Sequence, residues 1–161
     1  MELMIRPMHD SETGAVAQLF HDVWHETQAP LQDTRKAAGR DLQFFMARIA
    51  LRAARTQVAV VHGKIEGFFS WTDNRLDSLF VSRGARSMGI GQALCGAAES
   101  AMCASGHRSL ELDCVYGNWS GRRFYERLGW KVVRMDLSID ELLSGRVVVP
   151  HWQMAKEKGP A

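Results

Sequence analysis

Val81-Ser82-Arg83-Gly84-Ala85-Arg86-Ser87-Met88-Gly89-Ile90-Gly91 joins an apolar, strand-forming run to a helix-forming one. Glycines at a helix start let the backbone approach a ligand closely, and the first N–H groups of the helix have no internal partner. Those free donors and the helix dipole suit a phosphate. Arg86 stands where its guanidinium adds positive charge to such a cradle. Two familiar phosphate-binding patterns do not fit. A P-loop continues with Gly-Lys-Ser/Thr, whereas Gly91 is followed here by Gln92-Ala93. A dinucleotide fingerprint needs a third glycine and an acidic residue about 20 positions on. Gly89-Ile90-Gly91 leads instead to Cys95-Gly96, so that spacing is wrong. A plain strand-to-helix turn with glycines for packing is the structural alternative.

The flanks of this turn predict the architecture. Upstream, Gln57 to Val61, Ile65 to Thr72 and Leu76 to Val81 read as three strands, joined by tight turns at His62-Gly63-Lys64 and Asp73-Asn74. Downstream, a helix is expected from about Gly89 to Ser105, stopped by Gly106. A strand over Leu110 to Val115 and a helix over Trp119 to Leu128, stopped by Gly129, come next. Strands over Lys131 to Leu137 and Val147 to Met154 close the chain, with a short helical excursion near Asp140 to Leu143. At the other end, Leu3 to Pro7 is a short strand. Asp10 or Ser11 then caps a helix carrying Val16, Leu19, Phe20 and Val23 at helical spacing. Leu42, Phe45, Met46, Ile49 and Ala53 mark another helix, whose opposite face holds Arg48, Arg52 and Arg55. The order implies an α/β (mixed α+β) domain over residues 1–161. Its mixed, mostly antiparallel sheet has six or seven strands, with helices on both faces.

Composition narrows the setting without naming a function. The 161 residues carry 20 Lys plus Arg against 18 Asp plus Glu, so a net charge of +2 supplies no basic sheath for nucleic acid. No apolar run approaches the roughly 20 residues of a membrane helix, and Met1 to Arg6 lack signal-peptide anatomy. Cys95, Cys103 and Cys114 are odd in number and without metal-ligand spacing, which reads as reduced thiols in a cytoplasmic protein. His21 and His25 share a helix face at i, i+4 spacing but have no evident third ligand, so no metal is expected.

Arg86-Ser87-Met88-Gly89-Ile90-Gly91 resembles the Arg/Gln-x-x-Gly-x-Gly/Ala loop of the GNAT N-acetyltransferase superfamily, which holds the pyrophosphate of coenzyme A. Asn118 to Trp130, with Phe124-Tyr125-Glu126 and Leu128-Gly129-Trp130, is similar to that family's second signature. The order of elements matches from Met4 to about Met154. Arg83, Ser87 and Gly121 depart from the family's frequent proline, glycine and alanine, and none of the three changes removes a functional group.

The resemblance implies direct transfer of an acetyl group from acetyl-CoA to an amine, with no covalent enzyme intermediate. The amine belongs to a small molecule or a peptide. The backbone from Ser87 through Met88, Gly89, Ile90 and Gly91, with Arg86, would anchor the cofactor. Val81 would pair with the pantetheine arm, and Leu79 N–H, at the family's bulge position, would polarise the thioester. Tyr125 would protonate the departing thiolate, and Asn118 would contact the cofactor, cap the helix, or do both. Asp77, read as sharing a strand face with Leu79 and Val81, is the candidate base. Trp24, His25 and Asp113 are candidate acceptor contacts. A homodimer is expected from the family, with Val147 to Val149 as a possible pairing edge. A non-catalytic acyl-CoA sensor and a module for another nucleotide are the alternatives from other classes.

Overall fold

Alternate residues of the central strands are buried on opposite sides of one sheet, which is why their sequences read as continuous apolar runs. A computed structural model describes residues 2–159 of the protein. Its elements are β1 (Leu3–Pro7), α1 (Thr13–Thr27), α2 (Thr34–Gly39), α3 (Leu42–Leu51), β2 (Thr56–Val61), β3 (Lys64–Thr72) and β4 (Arg75–Val81). The second half comprises α4 (Ile90–Ala104), β5 (Ser109–Val115), α5 (Trp119–Arg127), β6 (Lys131–Leu142) and β7 (Gly145–Glu157). The strands lie in the order β1-β2-β3-β4-β5-β7-β6. Every neighbouring pair is antiparallel except β4 and β5.

Val58, Val60, Phe68 and Phe80 pack on one face against Val16, Phe20 and Trp24 of α1 and Phe45 and Ile49 of α3. Ala59, Val61, Phe69 and Leu76 pack on the other face, against Ile90, Leu94, Ala98 and Met102 of α4. Gly67 sets how closely α4 approaches: a Cβ there would come within 2.9 Å of Leu94 Cδ1 and 3.0 Å of the Phe80 carbonyl oxygen. Beneath α4 the buried carboxylate of Glu99 accepts from Lys156 Nζ (2.9 Å), Lys158 Nζ (3.0 Å) and Trp130 Nε1 (3.2 Å). This cluster ties the helix to the last strand and to Trp130, just before β6.

Most expected elements are present, and the turn chemistry is as read. His62 and Gly63 both have positive φ (50° and 78°), the pairing a two-residue hairpin turn requires. Gly106 and Gly129 take φ of 97° and 94° after α4 and α5.

Four local expectations are corrected. Residues Asp10–Glu12 form a single 3-10 turn and α1 begins at Thr13, because the Glu12 carboxylate turns back to accept from His9 N–H (2.8 Å) and from Arg6. Residues 34–39 form a short additional helix, capped by Asp33, which accepts from Arg35 N–H at 2.9 Å. There is no helical excursion at Asp140 to Leu143: β6 runs on to Leu142, and Gly145 (φ 123°) helps turn it into β7. This hairpin is polar on its inner face, at Ser138 and Asp140, and apolar on its outer face, at Leu137 and Ile139. That reverses the usual pattern and masks the strand in sequence. Finally, β7 lies between β5 and β6, with Val147 and Val149 buried, so the free edge at this end belongs to β6.

Candidate active site

β4 and β5 are paired only at Arg75↔Glu111 and Leu76↔Leu112, and then they part. The gap opens into a cleft of about 1050 Å³ that runs from the turn before α4 to the β6–β7 hairpin. Ser82 N–H donates to the Glu66 carbonyl at 2.8 Å. Antiparallel bonding alternates, so the pairs Phe80↔Phe68 and Ser78↔Ser70 share that phase. The main-chain groups of Leu79 and Val81 therefore face away from β3, toward the gap. Strand separation alone leaves them unpaired by the sheet.

The glycine turn borders the same gap. Ala93 N–H, bonded to the Gly89 carbonyl at 3.1 Å, is the first α4 amide with a backbone acceptor, which leaves those of Ile90, Gly91 and Gln92 for a ligand. Gly89 has φ 80°, and Ser87 has φ 64°, a conformation that costs a side-chain-bearing residue roughly 1–2 kcal/mol. Ser87→Gly is therefore expected to raise stability by about 0.5–1 kcal/mol, a Tm gain of roughly 1–4 °C, with acetyl-CoA affinity retained. Thermal melts and a binding titration of the variant check this. Met88 turns an exposed side chain outward. Arg86 lines the cleft, but its guanidinium is held by Glu26 at the end of α1, and Arg83 Nε lies 3.8 Å from the same carboxylate.

Tyr125, on α5, also lines the cleft, and its hydroxyl has no hydrogen-bond partner among the described residues. Burial pushes the phenol above its ordinary value, with Cys95 and Cys114 adding to the shift, so it remains protonated. Burial also pushes both thiols up to about 12, which makes them poor nucleophiles. Asn118 caps α5, accepting from Gly121 N–H at 3.1 Å. A Cβ on Gly121 would meet Asn118 Nδ2 at 2.5 Å, so the departure from alanine leaves room for this cap.

The acceptor-side expectations fare differently. The register shifts between Ser70 and Trp71, leaving Asp77 as an extra residue on β4. This bulge breaks the alternation: Leu79 and Val81 pack toward α4, whereas Asp77 and Ser78 face α3, meeting Arg52 at 4.0 Å and 3.2 Å. Asp77 thus does not share the face of Leu79 and Val81, and the bulge lies at Asp77 and not at Leu79. Its carboxylate still lines the cleft and accepts from Thr72 Oγ1 at 2.5 Å. Asp113 lines the cleft as an ion-paired residue, 2.8 Å from Arg75 Nη1 and 3.4 Å from His151 Nε2. Trp24 lines the cleft as a buried side chain. His25 is not part of the lining; its Nε2 lies 2.6 Å from the Arg40 carbonyl oxygen.

The lining also brings in polar side chains that had no functional role in the sequence reading, among them Lys36, Arg40, Arg48, Ser138, Asp140 and His151. Of these, Arg48 was read only as part of the arginine face of α3, and Asp140 only as part of a helical excursion. His151 is buried, with Nδ1 3.2 Å from Ser138 Oγ. Among the described residues no cluster of three or more His, Cys, Asp or Glu side chains could hold a metal ion, and no helix is long and apolar enough to cross a membrane.

The sequence profile of the acetyltransferase (GNAT) family matches residues 16–130, which include the β4–α4 turn, the split strands and α5. The chain belongs to the GNAT family. It is an acyltransferase. Solved structures share the fold at low identity. The GCN5-related N-acetyltransferase from Rhodopseudomonas palustris is 19% identical, with a TM-score of 0.75 over 98% of this chain and 96% of that one. Ribosomal-protein-alanine N-acetyltransferase from Brucella melitensis is 19% identical, with a TM-score of 0.74 over 96% and 99%. PaiA N-acetyltransferase from Thermoplasma acidophilum, solved with coenzyme A, is 17% identical, with a TM-score of 0.70 over 98% and 99%. No curated protein matches the chain in sequence.

Proposed function

We propose that the protein transfers an acetyl group from acetyl-CoA directly to an amine, within the β4–β5 gap. The observation that carries this reading is one juxtaposition: unpaired main-chain groups of Leu79 and Val81, free amides at the α4 start, and an unpartnered Tyr125 hydroxyl all border one cleft. The pyrophosphate sits on the amides from Ser87 to Gly91, with Arg86 exchanging Glu26 for phosphate oxygen. The pantetheine arm pairs with Val81 as an added strand. Asn118, while capping α5, meets the cofactor near the thioester. The amine nitrogen attacks the thioester carbon, and Leu79 N–H donates to the oxygen as charge develops there. The C–S bond then breaks and Tyr125 gives its proton to the thiolate.

The amine must first lose a proton. Asp77, beside Leu79 in sequence, draws the ammonium toward the thioester. Its carboxylate is engaged by Thr72 and Arg52. His151, held by Ser138 and Asp113, presents an imidazole to the cleft that can accept the proton through water. Trp24 and Asp113 shape the acceptor side.

Calorimetric titration with acetyl-CoA, with ATP in parallel, tests the reading. Saturable one-site binding of acetyl-CoA and weak or absent binding of ATP are expected. Folded protein that binds neither ligand overturns it.

Two copies are proposed to associate through β6, a free edge whose outer face exposes Met135, Leu137 and Ile139. Leu137→Glu should convert a dimer to a monomer in light scattering. A wild type that is already monomeric removes the idea.

A further inference from the structure

We infer that the acceptor is a small amine that also carries an oxyanion, a carboxylate or a phosphate, held by Arg40 and Arg48. The inference rests on the acyl-transfer reading for the amine, and on the following geometry for the anion.

Arg40 and Arg48 both line the acceptor side of the cleft. Neither guanidinium makes a hydrogen bond or an ion pair among the described residues. Each is instead fixed by aromatic faces. Arg40 Cζ lies 4.7 Å from the Trp24 ring and 4.6 Å from Phe44, and Arg48 Cζ lies 4.6 Å from Phe44. Stacking of this kind holds the planar fork while leaving its N–H donors in the ring plane free.

The surrounding charge does not neutralise them. The nearby acids are already engaged, Asp140 with the buried Lys36 and Asp77 with Arg52 and Thr72. Four cations, Lys36, Arg40, Arg48 and Arg52, thus face two carboxylates. Burial and mutual repulsion bring Arg40 down to about 10 and lower Arg48 as well. A protein that keeps two half-buried guanidiniums unpaired at such a cost has a place for an anion. A bidentate oxyanion satisfies their donors and relieves the repulsion.

The cofactor's phosphates do not account for this cluster. Their cradle is at the start of α4, whereas Arg40 and Arg48 lie on the α2–α3 segment, across the gap and near the inner face of the hairpin. Gln32 also lines this end, with a buried Oε1 that has no partner and can accept from a ligand N–H or O–H. An acceptor with an amine toward Asp77 and Leu79 and an oxyanion toward Arg40 and Arg48 spans the space between them.

Titration of CoA-saturated protein with inorganic phosphate at fixed ionic strength tests the anion site directly. One saturable site is expected, weakened at least tenfold in Arg40→Gln and in Arg48→Gln and partly recovered in Arg48→Lys. CoA titration of each variant reports that it is folded. No saturable phosphate binding to the wild type, or binding unchanged in both glutamine variants, overturns the inference. Turnover of ethanolamine, β-alanine and O-phosphoethanolamine then separates the two oxyanions. At least one anionic amine should exceed ethanolamine in kcat/KM by 30-fold or more, and that ratio should collapse in Arg48→Gln. Equal kcat/KM for all three also overturns it. Absence of turnover with every amine counts against the acyl-transfer reading, while the phosphate titration, which needs no turnover, still decides the anion site.

Discussion

Tyr125→Phe is expected to lower kcat by about 100-fold or more, with the Kd for acetyl-CoA within threefold of the wild type. The hydroxyl lines the cleft without a partner among the described residues, so its loss breaks none of their hydrogen bonds and, in the proposed mechanism, removes only the proton offered to the leaving thiolate. The phenol is raised above its ordinary value by burial, with Cys95 and Cys114 adding to the shift. The alkaline limb of kcat should therefore carry no tyrosine ionisation below pH of about 10. Steady-state thiol release across pH, with an amine the wild type acetylates, measures both quantities. A rate unaffected by the substitution would mean that water or the product ammonium protonates the thiolate. A matching loss of acetyl-CoA affinity would instead show that Tyr125 acts in binding.

Glu99→Ala has the largest expected effect on stability, a loss of about 3 kcal/mol. Removing one partner of a buried ionic cluster costs roughly 3–5 kcal/mol. Here Lys156 and Lys158 remain partly exposed and can turn to water, which favours the lower end of that range. Trp130 cannot turn, and its buried indole N–H would be left with no acceptor. For a chain of this length the loss corresponds to a fall in Tm of roughly 6–12 °C. The pH dependence has a definite sign. Burial acts to raise the Glu99 carboxyl, but Lys156 and Lys158 outweigh it and hold the group below its ordinary 4.5. The ionised carboxylate therefore contributes stability that is fully present above about pH 4.5 and is lost as pH falls through the lower folded value. Urea melts of wild type and Glu99→Gln between pH 3 and 7 should converge toward the acid end. Parallel curves would show that the charge contributes nothing.

The strand periods, the glycine stops after α4 and α5, and the β4–α4 turn are all local signals, legible before any tertiary contact is known. Tyr125 was singled out by the resemblance of Phe124-Tyr125-Glu126 to a family signature, and the fold brings it to the cleft. The same locality explains what was misread. Alternation along β4 placed Asp77 beside Leu79, yet one extra residue against β3 moves it to the α3 side, and pairing register is a property of two strands. Asp140 was read as part of a helical turn because its strand faces an ionic partner, Lys36, more than 100 residues earlier.

Sequence alone thus determined most of the order of elements and the glycine turn between β4 and α4, because backbone propensity and hydrophobic period act over a few residues. Only the tertiary structure decided which side chains line the end of the cleft away from the glycine turn. Arg48 reads with Arg52 and Arg55 as an ordinary solvated helix face, and Arg40 carries no signal at all, until Trp24 and Phe44 stack against the two guanidiniums and the nearby carboxylates prove to be engaged elsewhere. Charge balance in a cleft depends on which side chains the fold brings within a few ångströms, and that information is not carried by neighbours in the chain.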